Sequence, residues 1–176
     1  MDTLFQKIKE LGVSHLAVLP TKNIRFEPSL ITLCKANSCG NYGKNWTCPP
    51  LAGHTEALIA KAKSFSSALI FQKIYPLEDS FDIEGMAAGS ADFQHVIQKA
   101  LDIANTLPCP HLVLGAGGCR RCKTCAAING LPCRFPDRQV ASLESYSIQV
   151  SSLAEACGMQ YINGPNTVTY FGGIFY

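Results

Sequence analysis

Long apolar runs and strong charge are both missing from this 176-residue chain. No stretch approaches the roughly 18 consecutive apolar residues that a membrane-spanning helix needs, so we expect no membrane segment. Charged residues make up 16% of the chain, and the formal net charge is +2. Because nucleic-acid-binding surfaces need a concentrated basic face, we expect no nucleic-acid partner either.

Several common functional signatures are also absent. The chain contains no P-loop, no dinucleotide-binding fingerprint and no hydrolase order of Ser, His and Asp. Its start, MDTLFQKIKELG, mixes charged with apolar side chains, whereas a secretory signal has an unbroken apolar centre. We therefore expect a soluble, cytoplasmic protein whose chemistry comes from other residues.

The apolar pattern predicts one α/β domain over residues 1–176, since apolar residues make up 47% of the chain and no repeat divides it. Amphipathic helices are predicted at 4–11, from about His54 to Phe65, from a cap at Ser90 to before Pro108, and from about Ser142 to Gly158. Apolar runs at 15–19, 68–75, 111–115 and 167–171 predict strands. Because such helices can connect parallel strands, we expect a single layered domain with a mostly parallel sheet of four to five strands and four main helices.

Cysteine is the residue type in excess, with nine in the chain. In a reducing cytoplasm, clustered cysteines bind metal more often than they form disulfides. In the predicted parallel sheet, the loops after the first and third strands meet at the carboxyl edge. These loops contain seven cysteines: Cys34, Cys39 and Cys48 in the first, and Cys119, Cys122, Cys125 and Cys133 in the second. We expect Cys109 and Cys157 to lie outside this site.

The second loop reads GGCRRCKTCAAINGLPC, residues 117–133. Its C-x2-C-x2-C spacing is the one that surrounds three corners of a [4Fe–4S] cube in bacterial ferredoxins. Zinc sites more typically combine two separate C-x2-C pairs, so zinc is the alternative to an iron–sulfur cluster. Cys133 follows after seven residues and precedes Arg134, which departs from the two-cluster ferredoxin pattern.

The first loop reads CKANSCGNYGKNWTCPP, residues 34–50. Together the two loops resemble a family of predicted metal-binding proteins of unknown function. The signature of that family combines Y-G-K-N-W-x-C-P-P with a later G-G-C-x-x-C-x-x-C and P-C-R-x-P. The resemblance spans most of the chain, from Cys34 through the segment PCRFPDRQVASLESYSI that ends at Ile148, and departs at Ala141, which is not among the predicted ligands. It implies metal or iron–sulfur binding through these cysteines and no particular reaction.

The seven cysteines can be divided between one or two clusters in different ways. The four cysteines of the second loop can complete one cube, while the three of the first loop hold a second centre with an open iron for a substrate. Alternatively Cys48, which precedes proline, completes the second-loop cube, and Cys133 joins Cys34 and Cys39. The sequence leaves both divisions open.

Other residues near the two loops are weaker candidates. His54 is a candidate fourth ligand beside three thiolates. Trp46 is expected to pack as a lid, and Asp137 and Glu144 lie near enough in sequence to serve a substrate. Cations that either offset cluster charge or are simply solvated are Lys35, Lys44, Arg120, Arg121, Lys123, Arg134 and Arg138.

Three functions are consistent with these residues. The first is an iron–sulfur protein that passes electrons to a redox partner protein. The second is an enzyme that binds a small-molecule substrate at an open iron, and the third is a zinc-stabilised interaction module. We favour them in that order.

Overall fold

Five strands form one open sheet in the order β1-β2-β5-β3-β4 in the computed structural model, which describes residues 2–176. The strands are β1 (His15–Pro20), β2 (Ser67–Pro76), β3 (Leu112–Gly115), β4 (Ala141–Ser142) and β5 (Thr167–Phe175). The predicted α/β class is therefore confirmed. The sequence pattern predicts every strand but β4, whose two residues are too few for a visible alternation.

The sheet is mostly antiparallel, so the predicted mostly parallel sheet is wrong. β2 pairs antiparallel with both β1 and β5, β5 pairs antiparallel with β3, and the short β3–β4 pair is parallel. The C-terminal strand β5 lies in the middle, where it pairs with β2 over nine positions. Local periodicity identifies a strand but not its neighbour, because pairing depends on contacts that are distant in sequence.

This topology also changes the argument that brought the cysteine loops together. β1 and β3 run in opposite directions, so the loops that follow them leave opposite ends of the sheet. The first loop instead turns back along one face of the sheet. Phe26 forms an isolated antiparallel bridge with Ile148, and the Glu27 N–H donates to the Ser147 carbonyl at 2.7 Å. This return path carries the cysteines of the first loop toward the carboxyl end of β3.

Five α-helices accompany the sheet, against the four predicted: α1 (Asp2–Lys9), α2 (Ile31–Ala36), α3 (Thr55–Lys63), α4 (Ile83–Ala104) and α5 (Val150–Ala156). The six-residue α2 is too short for a clear apolar stripe. α4 begins before the predicted cap at Ser90, because the Asp82 side chain accepts a hydrogen bond from Gly85 N–H at 2.7 Å. None of the helices within residues 2–176 is long and apolar enough to cross a membrane.

The last predicted helix begins later than expected. Residues 141–149 form β4 and a 3-10 turn, Glu144–Tyr146, that ends at Ser147 with a φ of 57°. The left-handed residue interrupts helical geometry, although Leu143, Tyr146 and Val150 keep helical spacing and are buried. The apolar spacing therefore predicts burial correctly here and the backbone conformation wrongly.

Two apolar layers cover the two faces of the sheet. Successive residues of β2 contribute to opposite layers. Leu69 and Phe71 pack with α1 and α4, while Ile70 packs with α3 and α5. α4 approaches the sheet closely at Gly172, where a β-carbon would lie 2.6 Å from the Ile97 side chain. Phe26 and Ala52, which flank the first cysteine loop, pack against the layer formed by α3 and α5.

Candidate metal centre

The two cysteine-rich loops meet through a buried hydrogen-bond network around Cys119. The Asn45 Nδ2 donates to the Cys119 carbonyl at 2.9 Å, and the Thr47 Oγ1 accepts the Cys119 N–H at 3.0 Å. The Thr47 hydroxyl in turn donates to Asn45 Oδ1 at 3.0 Å. Both side chains are buried, so the loop that contains Cys48 fixes the backbone of Cys119.

A close glycine contact brings the loops together beside Cys48. A β-carbon at Gly118 would lie 3.0 Å from the Cys48 Sγ and 3.2 Å from the Asn45 Nδ2. The preceding Gly117 has a φ of 71°, a conformation that glycine adopts without strain. The GAGG segment thus forms the turn that delivers Cys119, and its missing side chain makes room for Cys48.

The three cysteines of the first loop line one cavity of about 390 Å³. Cys34 lies in the last turn of α2, Cys39 is exposed, and Cys48 is buried. The remaining wall consists of Leu30, Leu33, Ala36, Ser38, Tyr42, Pro49, Gly117, Gly118, Ser142, Glu144 and Ser145. Three soft thiol donors therefore face an otherwise largely apolar cavity.

The cavity disfavours thiolates that have no cation beside them. Burial, and after it the nearby Cys39, raises the pKa of Cys48 to about 11. Burial is also the main reason why the pKa of Cys34 is raised, followed by the charges of Cys39 and Glu144. These thiols stay protonated at neutral pH unless a metal displaces their protons.

Glu144 is a carboxylate in the wall of this cavity. The residue is exposed, and partial desolvation by the surrounding protein raises its pKa. The neighbouring Ser142 side chain acts in the opposite direction. No ion pair with a basic side chain involves Glu144 within residues 2–176.

The four cysteines of the second loop line a separate, narrow cavity of about 20 Å³. Asn45, Trp46 and Thr47 form the facing wall. The half-buried Trp46 donates its indole N–H to the Leu131 carbonyl at 3.0 Å, so it lies against this loop. These four cysteines are half-buried, and the Cys133 Sγ accepts the Phe135 N–H at 3.4 Å. Each cysteine set thus has its own cavity.

His54, a candidate ligand, and Cys109 and Cys157, the two cysteines expected outside the site, line neither cavity. Cys109 is exposed before β3, and Cys157 packs against the apolar layer of α3 and α5, where burial raises its pKa to about 11. His54 is an exposed residue at the start of α3 and lines neither cavity. His54 therefore does not stand beside the three thiols.

The donor types fit a soft or borderline metal, whereas the orientation of the side chains is not yet that of a bound site. Among residues 2–176, no group of three or more His, Cys, Asp or Glu side chains is arranged to hold a metal ion as it stands. Thiolates are the usual ligands of zinc and of iron–sulfur clusters. Apart from α2, the two loops consist of turns and 3-10 turns, so metal binding requires loop and side-chain adjustment more than refolding of the sheet.

The cations of the second loop have different partners. Arg138 pairs with Asp102 of α4, and this contact lowers the pKa of the Asp102 carboxyl. Arg121 stacks over the Phe135 ring at 5.1 Å, and Arg134 donates to the Thr124 carbonyl at 3.0 Å. Cations of this loop that form no ion pair within residues 2–176 are Arg120, Arg121, Lys123 and Arg134.

Comparison with known proteins agrees with a metal-binding role for the chain. Residues 17–176 match a family described as "Predicted metal-binding protein (DUF2284)". The chain belongs to this family. No curated protein and no solved structure matches the chain. The DUF2284 match covers both cysteine loops, and it supports the metal-binding part of the sequence prediction.

The sequence analysis names neither Asn45 nor Thr47, and it names Glu144 without placing it beside the cysteines. Asn45 and Thr47 stand in the segment NWTC directly before Cys48, where two small polar residues beside a buried ligand signal a supporting hydrogen-bond network. Glu144 was considered only as a residue near a substrate. Its place beside Cys34 depends on how residues 141–149 pack, and no local spacing reveals that.

Proposed function

We propose that the chain binds [4Fe–4S] clusters through its two cysteine loops and that the second-loop cluster transfers electrons. The observation behind this proposal is the grouping of the cysteines, with four around one cavity and three around a neighbouring one. A cube with four thiolates has no free position, so it is suited to electron transfer. A centre with three thiolates needs a further ligand or a substrate.

The cysteine grouping favours one division of the ligands. Cys133 shares a cavity with the C-x2-C-x2-C cysteines, whereas Cys48 shares a cavity with Cys34 and Cys39. We therefore assign the second-loop cluster to Cys119, Cys122, Cys125 and Cys133. The alternative, in which Cys48 and Cys133 exchange places, requires both side chains to leave their cavities.

The surface around the second loop supports an acidic redox partner protein. Ile128, Leu131 and Phe135 are 54%, 53% and 42% exposed beside the four cysteines. The neighbouring cations without ion pairs give this surface a positive charge. A partner of negative charge would be steered toward it, and one electron would pass from the reduced partner to the oxidised cluster.

Two observations favour other functions. The space among the four cysteines is about 20 Å³, close to the volume needed by a single water, which favours one zinc ion over a cube. The cavity beside Cys34, Cys39 and Cys48 is about 390 Å³, large enough for a small substrate, which favours an enzyme. In our proposal, the turns of the second loop open to admit the cube.

Anaerobic purification tests the proposal. We expect a brown protein with iron and acid-labile sulfide in similar amounts and a broad thiolate-to-iron absorption in the visible range. Cys122→Ser should lose the second-loop cluster, while Cys109→Ser, a change at an exposed cysteine outside both cavities, should keep full iron. A colourless protein with stoichiometric zinc would overturn the iron–sulfur proposal and favour the zinc-stabilised module.

A further inference from the structure

We propose that Glu144 is the fourth ligand of the metal centre formed by Cys34, Cys39 and Cys48. The assignment rests on the proposed function only in requiring a metal at the first loop, whether that metal is iron or zinc. It fills the position that three thiolates leave vacant. The ligand comes from neither cysteine loop but from the segment after β4.

Glu144 is held at the cavity by a buried turn. It begins the 3-10 turn that follows β4, and the Leu143 N–H donates to the Gly115 carbonyl at 2.9 Å. Beneath it, the buried Ser142 Oγ accepts the Ser145 N–H at 3.1 Å and lies 3.0 Å from the Ser145 Oγ. These bonds fix the backbone from which the carboxylate reaches the cavity.

The negative charge of the cavity wall favours the binding of a cation. Within the described lining, Glu144 is the one charged side chain, and no Lys, Arg or His accompanies it. Glu144 and the three cysteines line the same cavity. A carboxylate with no basic side chain in its surroundings is a favourable partner for a cation. A metal ion would turn the mutual repulsion of one carboxylate and three thiolates into attraction.

The type of ligand has a chemical consequence for the centre. Thiolates are softer donors than carboxylates and bind iron and zinc tightly. An oxygen ligand at the fourth position is the one that an incoming substrate most easily displaces. Glu144 therefore occupies the exchangeable position of a centre whose cavity wall also contains Leu33 and Tyr42.

The test uses Co²⁺ alone as the probe, added without oxygen to the full chain after removal of its metal. The absorption of Co²⁺ reports the number of thiolate ligands. Glu144→Ala should weaken the first-loop site at least about tenfold. Glu144→Cys should retain binding and add thiolate-to-cobalt absorption, a gain that a merely destabilised variant does not give. Glu155→Gln, a change at an exposed carboxylate of α5, should behave as wild type.

A double-mutant cycle assigns the effect to the first loop. With Cys34→Ser already present, Glu144→Ala should cause little further loss, because the site it completes is already broken. An equal loss with and without Cys34→Ser overturns the assignment. So does unchanged Co²⁺ binding in Glu144→Ala, or a Glu144→Cys variant without added thiolate absorption.

Loading the same chains with iron and sulfide separates this inference from the proposed function. Co²⁺ binding that depends on Glu144, in a chain that assembles no cluster, supports the ligand and contradicts the iron–sulfur proposal. If clusters assemble and their first-loop paramagnetic signal is the same in Glu144→Ala and Glu155→Gln, Glu144 is not a ligand. The iron–sulfur proposal is then still supported. A wild-type chain that takes up neither Co²⁺ nor clusters overturns both.

Discussion

The Thr47 hydroxyl accepts the backbone N–H of Cys119 at 3.0 Å, a contact between residues 72 positions apart in the chain. Thr47 precedes the buried Cys48, and Cys119 opens the C-x2-C-x2-C segment. One hydrogen bond therefore joins the backbone of one cysteine loop to the side chain of the other. A disturbance at this contact should reach both cysteine cavities.

We expect Thr47→Val to destabilise the fold by about 1–3 kcal/mol, because it leaves the Cys119 N–H without its partner and removes one of the two hydrogen bonds that Asn45 Oδ1 accepts. Urea denaturation measures the loss. Thr47→Ser retains the hydroxyl and should recover most of the stability. Thr32→Ala removes an exposed hydroxyl that bonds the Ser29 carbonyl, and it should cost much less. Equal losses for Thr47→Val and Thr32→Ala would contradict this role of Thr47.

Gly118→Ala should reduce metal retention at the first loop. The added methyl group would lie 3.0 Å from the Cys48 Sγ, so the thiol has to move, and overpacking of this kind costs about 1–3 kcal/mol. Metal analysis of anaerobically purified protein measures the effect. Gly12→Ala is the control. It also strains the backbone, whose φ is 73°, but the added β-carbon would have no atom within 4 Å. Full metal in Gly118→Ala would show that Cys48 needs no such clearance.

The sequence predicts those parts of the fold that depend on local spacing. α4 is predicted because its apolar residues repeat on one face, and β2 because it is a continuous buried run. The position of β5 between β2 and β3 depends on pairing across the whole chain, and the direction of the sheet depends on that pairing in turn. Local pattern contains no information about either.

Some residues of the candidate site are likewise predicted by local spacing, and others depend on tertiary packing. The cysteine spacings predict the two groups of thiols, because ligands of one metal centre often lie close together in sequence. The predicted parallel edge was wrong, yet the loops still meet, through Asn45 and Thr47. Glu144 reaches the cavity only through the tertiary packing of β4 and its turn, whereas His54, the ligand candidate from the sequence, does not line it.

The ion pair between Arg138 and Asp102 should make stability depend on pH in the acid range. Arg138 lowers the pKa of Asp102 below the ordinary value of about 3.9, so the pair stabilises the fold above that pH. This stabilisation is lost as the pH falls through the lowered pKa. Asp102→Asn should therefore reduce the urea midpoint near neutral pH and flatten its fall on acidification. Asp137→Asn, which alters a carboxylate outside this pair, should keep the acid dependence of the wild type.

Charge reversal on the second loop should slow electron transfer without loss of iron. Arg121 and Arg134 lie beside the exposed Phe135 and form no ion pair within residues 2–176, so they contribute freely to attraction of an acidic partner. We expect Arg121→Glu combined with Arg134→Glu to reduce the second-order rate with a small acidic electron-transfer protein by about tenfold or more at low salt. Stopped-flow absorbance measures this rate.

Lys9→Glu is the control. It reverses one charge on α1, a helix that lines neither cysteine cavity, and should have a much smaller effect. Added salt should bring the rates of variant and wild type together, because it screens long-range attraction. A rate that is unchanged at low salt, with full iron in every variant, would place the entry of electrons elsewhere on the molecule.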